Sequence, residues 1–201
     1  MNNLIIGITG RKRAGKSTIA DILPTFLTHY PNLYKIGISD EIKQTLASYT
    51  GGSVAKIEEN KDILRPVLQQ WGDIIRERLL DILNAKVKKL QEPYLLIIPD
   101  VRLLDEVKFL REVLGSSSDP TKLTDVVILK VERREIDSYG HYLPLEFSSS
   151  ISGLSSVDNH ITETEVDRIS FDYLIQNNLS IDYLWKTECN GFAFWLRNRK
   201  Q

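Results

Sequence analysis

The stretch Gly10-Arg11-Lys12-Arg13-Ala14-Gly15-Lys16-Ser17, GRKRAGKS, satisfies the pattern G-x-x-x-x-G-K-[ST] at each fixed position. Such a loop turns backbone N–H groups inward around the β-phosphate of a nucleoside triphosphate, and the helix that follows adds the positive end of its dipole. In that arrangement Lys16 reaches the β- and γ-phosphates, and the Ser17 hydroxyl takes a position on Mg²⁺. Context decides whether the match is real. Just upstream, Leu4-Ile5-Ile6-Gly7-Ile8 is a short apolar run of the kind that forms a buried parallel strand. Just downstream, Ile19, Ala20, Ile22, Leu23, Phe26 and Leu27 recur at helical spacing. Strand, glycine loop and helix follow one another in the order the cradle requires.

Further along, Leu33 to Ile38 reads as a second strand, with Ser39 or Asp40 as cap of a helix that ends at Gly51-Gly52. From Lys61 to Leu90 the apolar positions keep a helical period, and Pro66, with Gly72 a second candidate, predicts two or three separate helices. Tyr94 to Ile98 is a third buried strand, followed by an amphipathic helix through Leu104, Val107, Leu110 and Val113 that stops at Gly115. Val126 to Val131 predicts a fourth strand. From Glu135 to about Glu163 periodicity is lost, and the serine-rich run Ser148 to Ser156 marks a long functional loop or a disordered one. Tyr173 to Gln176 is a fifth strand, Asn177-Asn178 a turn, and Ser180 the cap of a last helix through Leu184 and Trp185. Strands alternating with helices predict an α/β fold with a parallel sheet covered on both faces.

The 201 residues fit one domain with a substantial core. With 26 basic and 27 acidic residues the net charge is -1, which argues against a nucleic-acid coat protein or a polybasic membrane binder, so any anion must be held by local clusters. A single cysteine, Cys189, fits a reducing cytoplasm, and neither a signal peptide nor a membrane span is expected. His141, His160 and Cys189 lack zinc-ligand spacing.

Asp100 follows the third apolar strand, where open α/β sheets place ligands and where glycine-loop enzymes place a Mg²⁺ partner; the alternative is a helix cap. Arg102, two residues on, suggests a second anion near the metal. An acceptor that is itself a phosphate needs no strong base, because its oxygen is already ionised and catalysis reduces to alignment and charge stabilisation. Arg133 and Arg134 end the fourth strand and suit a phosphoryl transition state, or are a solvated pair. Arg65, Gln69, Gln70, Arg76 and Arg78 share one helical stretch and either border an acceptor pocket or form its wet face.

Several segments together resemble the phage-type deoxynucleoside monophosphate kinases, within the P-loop nucleoside monophosphate kinase fold. They are GITGRKRAGKSTIADIL (Gly7 to Leu23), ISDEIK (Ile38 to Lys43), RPVLQQWGDIIR (Arg65 to Arg76), LLIIPDVRLLDEV (Leu95 to Val107), DNHITE (Asp158 to Glu163) and FDYLIQNNLSIDYL (Phe171 to Leu184). The resemblance implies a three-layer sandwich around a five-stranded parallel sheet, a helical acceptor-binding region at about 40–92 and a lid at about 133–163. It implies transfer of the ATP γ-phosphoryl group to a deoxynucleoside 5′-monophosphate with Mg²⁺. By position, Gly10, Arg11, Lys12, Arg13, Ala14, Gly15, Lys16, Ser17 and Thr18 would hold ATP, with Asn177 near the adenine. Ser17 and Asp100 would serve Mg²⁺ directly or through water, Lys16 would stabilise the transferring group, and Arg133 or Arg134 would supply lid charge. Asp40, Lys43, Arg65, Gln69, Arg76 and Arg102 would line the acceptor site, with Gln69 near the base. A homodimer is compatible with the resemblance. Two other readings stand beside it: another small-molecule kinase of this fold, such as a dephospho-coenzyme A kinase, and a nucleotide-binding relative without catalysis. A GTP switch is disfavoured, since no N-K-x-D element occurs and Asp137 to Gly140 imitates D-x-x-G too far from its strand.

Overall fold

Alternate residues of the first strand, β1 (Asn3–Thr9), point into different cores, and both are buried. Leu4, Ile6 and Ile8 pack with the helices on one side of the sheet, while Ile5 packs with those on the other. A strand buried on both faces reads as an unbroken apolar run, which is what β1 and β3 (Tyr94–Ile98) show. The computed structural model describes residues 2–116, 123–133 and 161–199.

Five strands form one sheet in the order β2-β3-β1-β4-β5, and each adjacent pair is parallel. The remaining strands are β2 (Asn32–Lys35), β4 (Thr124–Glu132) and β5 (Tyr173–Gln176). On one face lie α1 (Lys16–Ile22), continued by a 3₁₀ turn at Leu23–Phe26, and the C-terminal helices. On the other lie α2 (Asp40–Thr50), α3 (Val54–Glu59), α4 (Lys61–Val87) and α5 (Leu104–Phe109), the last continuing as a π-helical turn over Leu110–Leu114. A short helix α6 (Ile161–Thr164) with a 3₁₀ turn at Glu165–Arg168 precedes β5. The chain then closes with α7 (Ile181–Tyr183), a π-helical stretch at Leu184–Cys189, and α8 (Asn190–Asn198).

Gly7 lets this sandwich close on the α5 side, because a Cβ there would stand 2.9 Å from Leu110 Cδ1 and 3.1 Å from Val101 Cγ2. Strand β1 is central, with β3 on one flank and β4 on the other, so the chain leaves its carboxyl end at the point where strand order reverses. Open α/β sheets bind ligands in that crevice.

Three local expectations change. The stretch Lys61–Val87 is helical past Pro66 and Gly72, and its break falls at Ile75, where φ is -111° and ψ 15°. Pro66 is tolerated because it sits in the second turn, where its missing N–H leaves only a carbonyl near the helix start without its usual donor. Strand β2 ends at Lys35 rather than Ile38, since Ile38 and Ser39 turn their N–H groups away from the sheet and toward Asp100. Ser39 stands at the N-cap of α2 but makes no capping bond, its hydroxyl being given to Asp100. Gly51 ends α2 as expected, at φ 64°. The last helix begins with Ser180 accepting from the Tyr183 N–H at 3.3 Å, and extends well beyond Trp185.

Candidate active site

The glycine loop runs from Gly10 to Lys16 between β1 and α1. Three of its residues hold positive φ: Gly10 at 143°, Arg13 at 62° and Gly15 at 96°. Gly10 presses so closely on the Val131 carbonyl, and Gly15 on the Asn177 amide, that neither site has room for a Cβ. Asn177 Nδ2 donates to the Ala14 carbonyl at 2.9 Å, so the turn after β5 braces the loop from behind. Lys16 is buried with its ammonium folded into the loop, donating to the carbonyls of Gly10 at 2.6 Å and Arg11 at 2.8 Å. The loop's other cations reach sideways. Arg11 grips Asp167 with Nε at 3.1 Å and Nη2 at 2.5 Å, while Lys12 and Arg13 meet Asp62 at 3.5 and 3.4 Å. Lys12 and Arg13 together hold the Asp62 carboxyl below its usual range.

A cleft of about 390 Å³ opens beside this loop. Lys16, Ser17 and Asp100 border it, and so do Asp40, Lys43, Arg65, Gln69, Arg76 and Arg102. Residues from the loop, the end of β3 and the two helices α2 and α4 thus face one space. On α4 the lining residues Arg65, Leu68, Gln69, Gly72, Asp73, Arg76 and Leu79 recur at spacings of three and four, which is one helical face.

Lys43 and Arg76 of that wall are engaged with carboxylates. Lys43 pairs with Glu58 at 2.5 Å and with Asp40 at 3.4 Å. Burial works to lower the Lys43 pKa, yet Glu58, Asp40 and Asp100 outweigh it and the net shift is upward. Glu58 shows the converse: burial pushes its pKa up, and Lys43 and Lys61 bring it below the ordinary value. Arg76 meets Asp73 at 2.6 Å, one turn away on the same helix. Asp40 accepts from the Gly37 N–H at 2.6 Å, which closes the turn leading into α2.

Asp100 makes bonds that neither of the two roles weighed for it includes. Its Oδ1 accepts from the Ile38 N–H at 2.7 Å, and its Oδ2 accepts from the Ser39 N–H at 2.9 Å and the Ser39 hydroxyl at 2.5 Å. A carboxylate offers about four lone-pair directions, so these three bonds leave one, on Oδ1. Mg²⁺ prefers hard oxygen ligands and keeps several waters. The Ser17 hydroxyl and the remaining Asp100 direction border the same cleft and fit that preference, with Asp100 acting through one oxygen or through a water. Among the described residues, no group of three or more His, Cys, Asp or Glu could hold a metal on its own.

Glu106 lines the cleft although sequence reasoning passed over it. It is buried, and its Oε2 accepts from the N–H groups of Arg102 at 2.7 Å and Leu103 at 3.1 Å, which fixes the backbone that presents Arg102. Burial raises its pKa to about 7, with repulsion from Asp100 adding to the rise. Lys35, Glu58 and Lys61 also border the space and carried no motif, and Ser39, read as a helix cap, borders it too.

Some expected members stand elsewhere. Arg133 is exposed at the end of β4 and does not line the cleft; Arg134, His141, His160, Asp137 to Gly140 and the serine-rich run lie outside the described residues. Cys189 is buried among apolar side chains, and its thiol is pushed up to about 12 by that burial. Among the described residues no helix is long and apolar enough to cross a membrane.

No protein-family profile matches this chain, and no curated protein does. Solved structures do. A candidate kinase from Chloroflexus aurantiacus aligns over 100% of this chain and 96% of its own, with a TM-score of 0.50 and 15% identity. The APS kinase CysC of Mycobacterium tuberculosis (98% and 99% covered, TM-score 0.47, 16% identity) and a shikimate kinase from Aquifex aeolicus (98% and 98%, 0.46, 14%) are also similar. The chain has the P-loop kinase fold: a five-stranded parallel sheet with helices on both faces and the glycine loop at the tip of its central strand.

Proposed function

We propose that the protein transfers the γ-phosphoryl group of ATP to a deoxynucleoside 5′-monophosphate, releasing ADP and the diphosphate. One observation carries this reading. A single cleft is bordered at one end by Lys16, Ser17 and Asp100 and along its wall by Lys43, Arg65, Arg76 and Arg102. Two sets of anion-binding groups facing one space suit a reaction between two phosphorylated molecules. A hydrolase would need only the first set and a positioned water.

In this reading the loop residues Gly10 to Thr18 hold ATP, and Lys16 leaves the carbonyls of Gly10 and Arg11 for the phosphates. Arg65, Arg76 and Arg102 hold the acceptor phosphate, which brings an oxygen that is already ionised, so no general base is required. That oxygen forms the new P–O bond as the bond from the γ-phosphorus to the β–γ bridging oxygen breaks, and the departing charge stays on ADP. Lys16 follows the charge on the transferring group, and its ammonium acts most strongly in a space screened from water. Bound Mg²⁺, held by Ser17 and Asp100, would neutralise phosphate charge. Asp40, Lys43 and Gln69 complete the acceptor side, with Gln69 toward the base. Asn177 contributes to the donor side by bracing the loop, and Arg133 and Arg134 are assigned to charge stabilisation from the segment that follows β4. The kinase fold of the similar structure supports phosphoryl transfer, while the resemblance of the segments around Asp100 to Arg102 and from Arg65 to Arg76 supports a nucleotide acceptor.

The test is an acceptor panel: four deoxy- and four ribonucleoside monophosphates with Mg·ATP, read as acceptor-dependent ADP release, with dephospho-coenzyme A as a further arm. Turnover of at least one deoxynucleoside monophosphate is expected. Turnover of dephospho-coenzyme A alone would move the protein to another small-molecule kinase class, and ATP binding with no acceptor-dependent ADP release would make it a silent relative.

A further inference from the structure

Glu58 lies between two ammonium groups at the border of the cleft. Its Oε1 meets Lys43 Nζ at 2.5 Å and its Oε2 meets Lys61 Nζ at 3.0 Å, and all three residues line the space. Two ammonium groups that share one carboxylate are spaced to hold a small oxyanion, and here the anion is the protein's own. The pair stands where a reacting phosphate has to arrive. Lys61 opens α4, and its neighbour Asp62 meets Lys12 and Arg13 of the glycine loop, so this first turn adjoins the donor end. Lys43 feels the charge of Asp100, the residue assigned to Mg²⁺. Glu58 itself is lightly held. Helix α3 has six residues and buries only Ile57. The Glu58 side chain is 40% exposed and that of Lys43 12%, so the carboxylate can turn out to water while the enclosed ammonium stays, with Asp40 still at 3.4 Å.

We propose that Glu58 stands in for the acceptor's phosphate, which takes its place between Lys43 and Lys61. Resting on the acceptor reading above, this adds Lys61 to the acceptor side and makes Glu58 a brake on acceptor affinity. A phosphate dianion and the Glu58 carboxylate repel each other, so one has to leave before the other is seated. A site that is open for only part of the time loses apparent affinity by that fraction, so a pair closed about nine-tenths of the time weakens binding about tenfold. The exchange also selects for charge. A phosphate regains both ammonium contacts, whereas a neutral acceptor has nothing with which to displace the carboxylate.

The experiment compares the parent, Glu58→Gln, and Glu58→Gln combined with Lys61→Ala. Each is measured in steady-state kinetics with the eight monophosphates, in calorimetric titration with inorganic phosphate in the presence of Mg·ADP, and in thermal unfolding. Glu58→Gln keeps the size of the side chain and gives up its charge. The acceptor KM and the phosphate Kd should each fall about tenfold, while the ATP KM stays within about twofold. The melting temperature should hold or drop, so that a protein no more stable than the parent binds its acceptor more tightly. Adding Lys61→Ala should reverse the gain by about tenfold, since only a contact to phosphate is then lost. A KM and a Kd that stay put or rise in folded Glu58→Gln would make the residue a tether for α3 and overturn the proposal. So would a fall shared equally with the ATP KM, or a gain that survives Lys61→Ala. A parent that turns over none of the eight compounds sinks the acceptor reading, and the phosphate titration then decides the seat alone. Tighter binding in Glu58→Gln that Lys61→Ala reverses upholds it, and equal binding in parent and variant overturns it.

Discussion

The two ends of the cleft bind charge by opposite means. At the loop end, residues 10–17 are contiguous, and their conformation is set by two glycines and an arginine at positive φ. At the wall, Lys43 comes from α2, Arg65 and Arg76 from α4, and Arg102 from beyond β3. The loop offers backbone N–H groups, which need no counter-charge. The wall offers side chains, of which Lys43 holds Glu58 and Asp40 and Arg76 holds Asp73. On the proposed function a triphosphate would meet a preorganised cradle, whereas an acceptor phosphate would have to displace carboxylates from Lys43 and Arg76. That exchange makes the wall the more selective end, because only an anion of the right charge and reach recovers what the ion pairs lose.

The largest expected effect lies at the loop. Lys16→Ala should lower kcat by about 10³-fold or more, since it removes a charge aimed at the transferring group. The fold should survive, as the ammonium's bonds to the carbonyls of Gly10 and Arg11 stay within the loop. Equal turnover in variant and parent would reject the assignment. At the wall the expected loss is smaller and of another kind. Arg76→Ala should raise the acceptor KM by about 10- to 100-fold, the worth of a charge-assisted hydrogen bond, and leave the ATP KM alone. If both KM values moved together, the cleft would not be divided between donor and acceptor as argued.

The same contrast explains what the sequence could disclose. The loop was legible because its chemistry is local: eight adjacent residues between an apolar run and a helical period. Strands β3 and β5 were legible to the residue for the same reason. The wall residues were nameable on α4 only as one face of a helix, and the fold had to bring Asp100, Lys43 and Arg102 to them. Ser39 read as a helix cap, since a serine before an acidic helix start signals one; its diversion to Asp100 depends on a strand more than 60 residues away. The break at Ile75 carried no signal, while Pro66 and Gly72 carried misleading ones. Glu106 escaped because a glutamate early in an amphipathic helix reads as solvent-facing. Its burial comes from packing that no local pattern encodes.

Asp100 links the two ends and gives an intermediate effect. Asp100→Asn removes the charge assigned to Mg²⁺ and turns an amide toward the donors Ile38 N–H, Ser39 N–H and Ser39 hydroxyl. The Mg²⁺ concentration for half-maximal rate should rise about tenfold, the scale typical of disturbed metal sites. Ser39→Ala serves as the companion, for it loses one loop bond and no charge. It should lower the melting temperature by a few degrees, on the scale of one hydrogen bond, with the Mg²⁺ titration unmoved. A magnesium titration unchanged in Asp100→Asn would leave that residue as a loop anchor alone.

The smallest effect is one of pH, and its sign follows from Glu106. Burial raises the folded-state pKa of this carboxyl from 4.5 to about 7. Between those values the folded protein holds a proton that the unfolded chain has released, so stability from this group is present below about pH 4.5 and declines as pH rises toward 7. Glu106→Gln keeps an oxygen to accept from the Arg102 and Leu103 N–H groups but has nothing to ionise. The variant should thus gain on the parent as pH rises from 5 to 8, seen as a melting-temperature difference that grows across that range. Its acceptor KM should move by less than that of Arg76→Ala, because Glu106 acts on Arg102 through the backbone. A difference in melting temperature that is flat with pH would mean that the carboxyl is already ionised in the fold. The wall would then carry one more buried negative charge for an incoming phosphate to overcome.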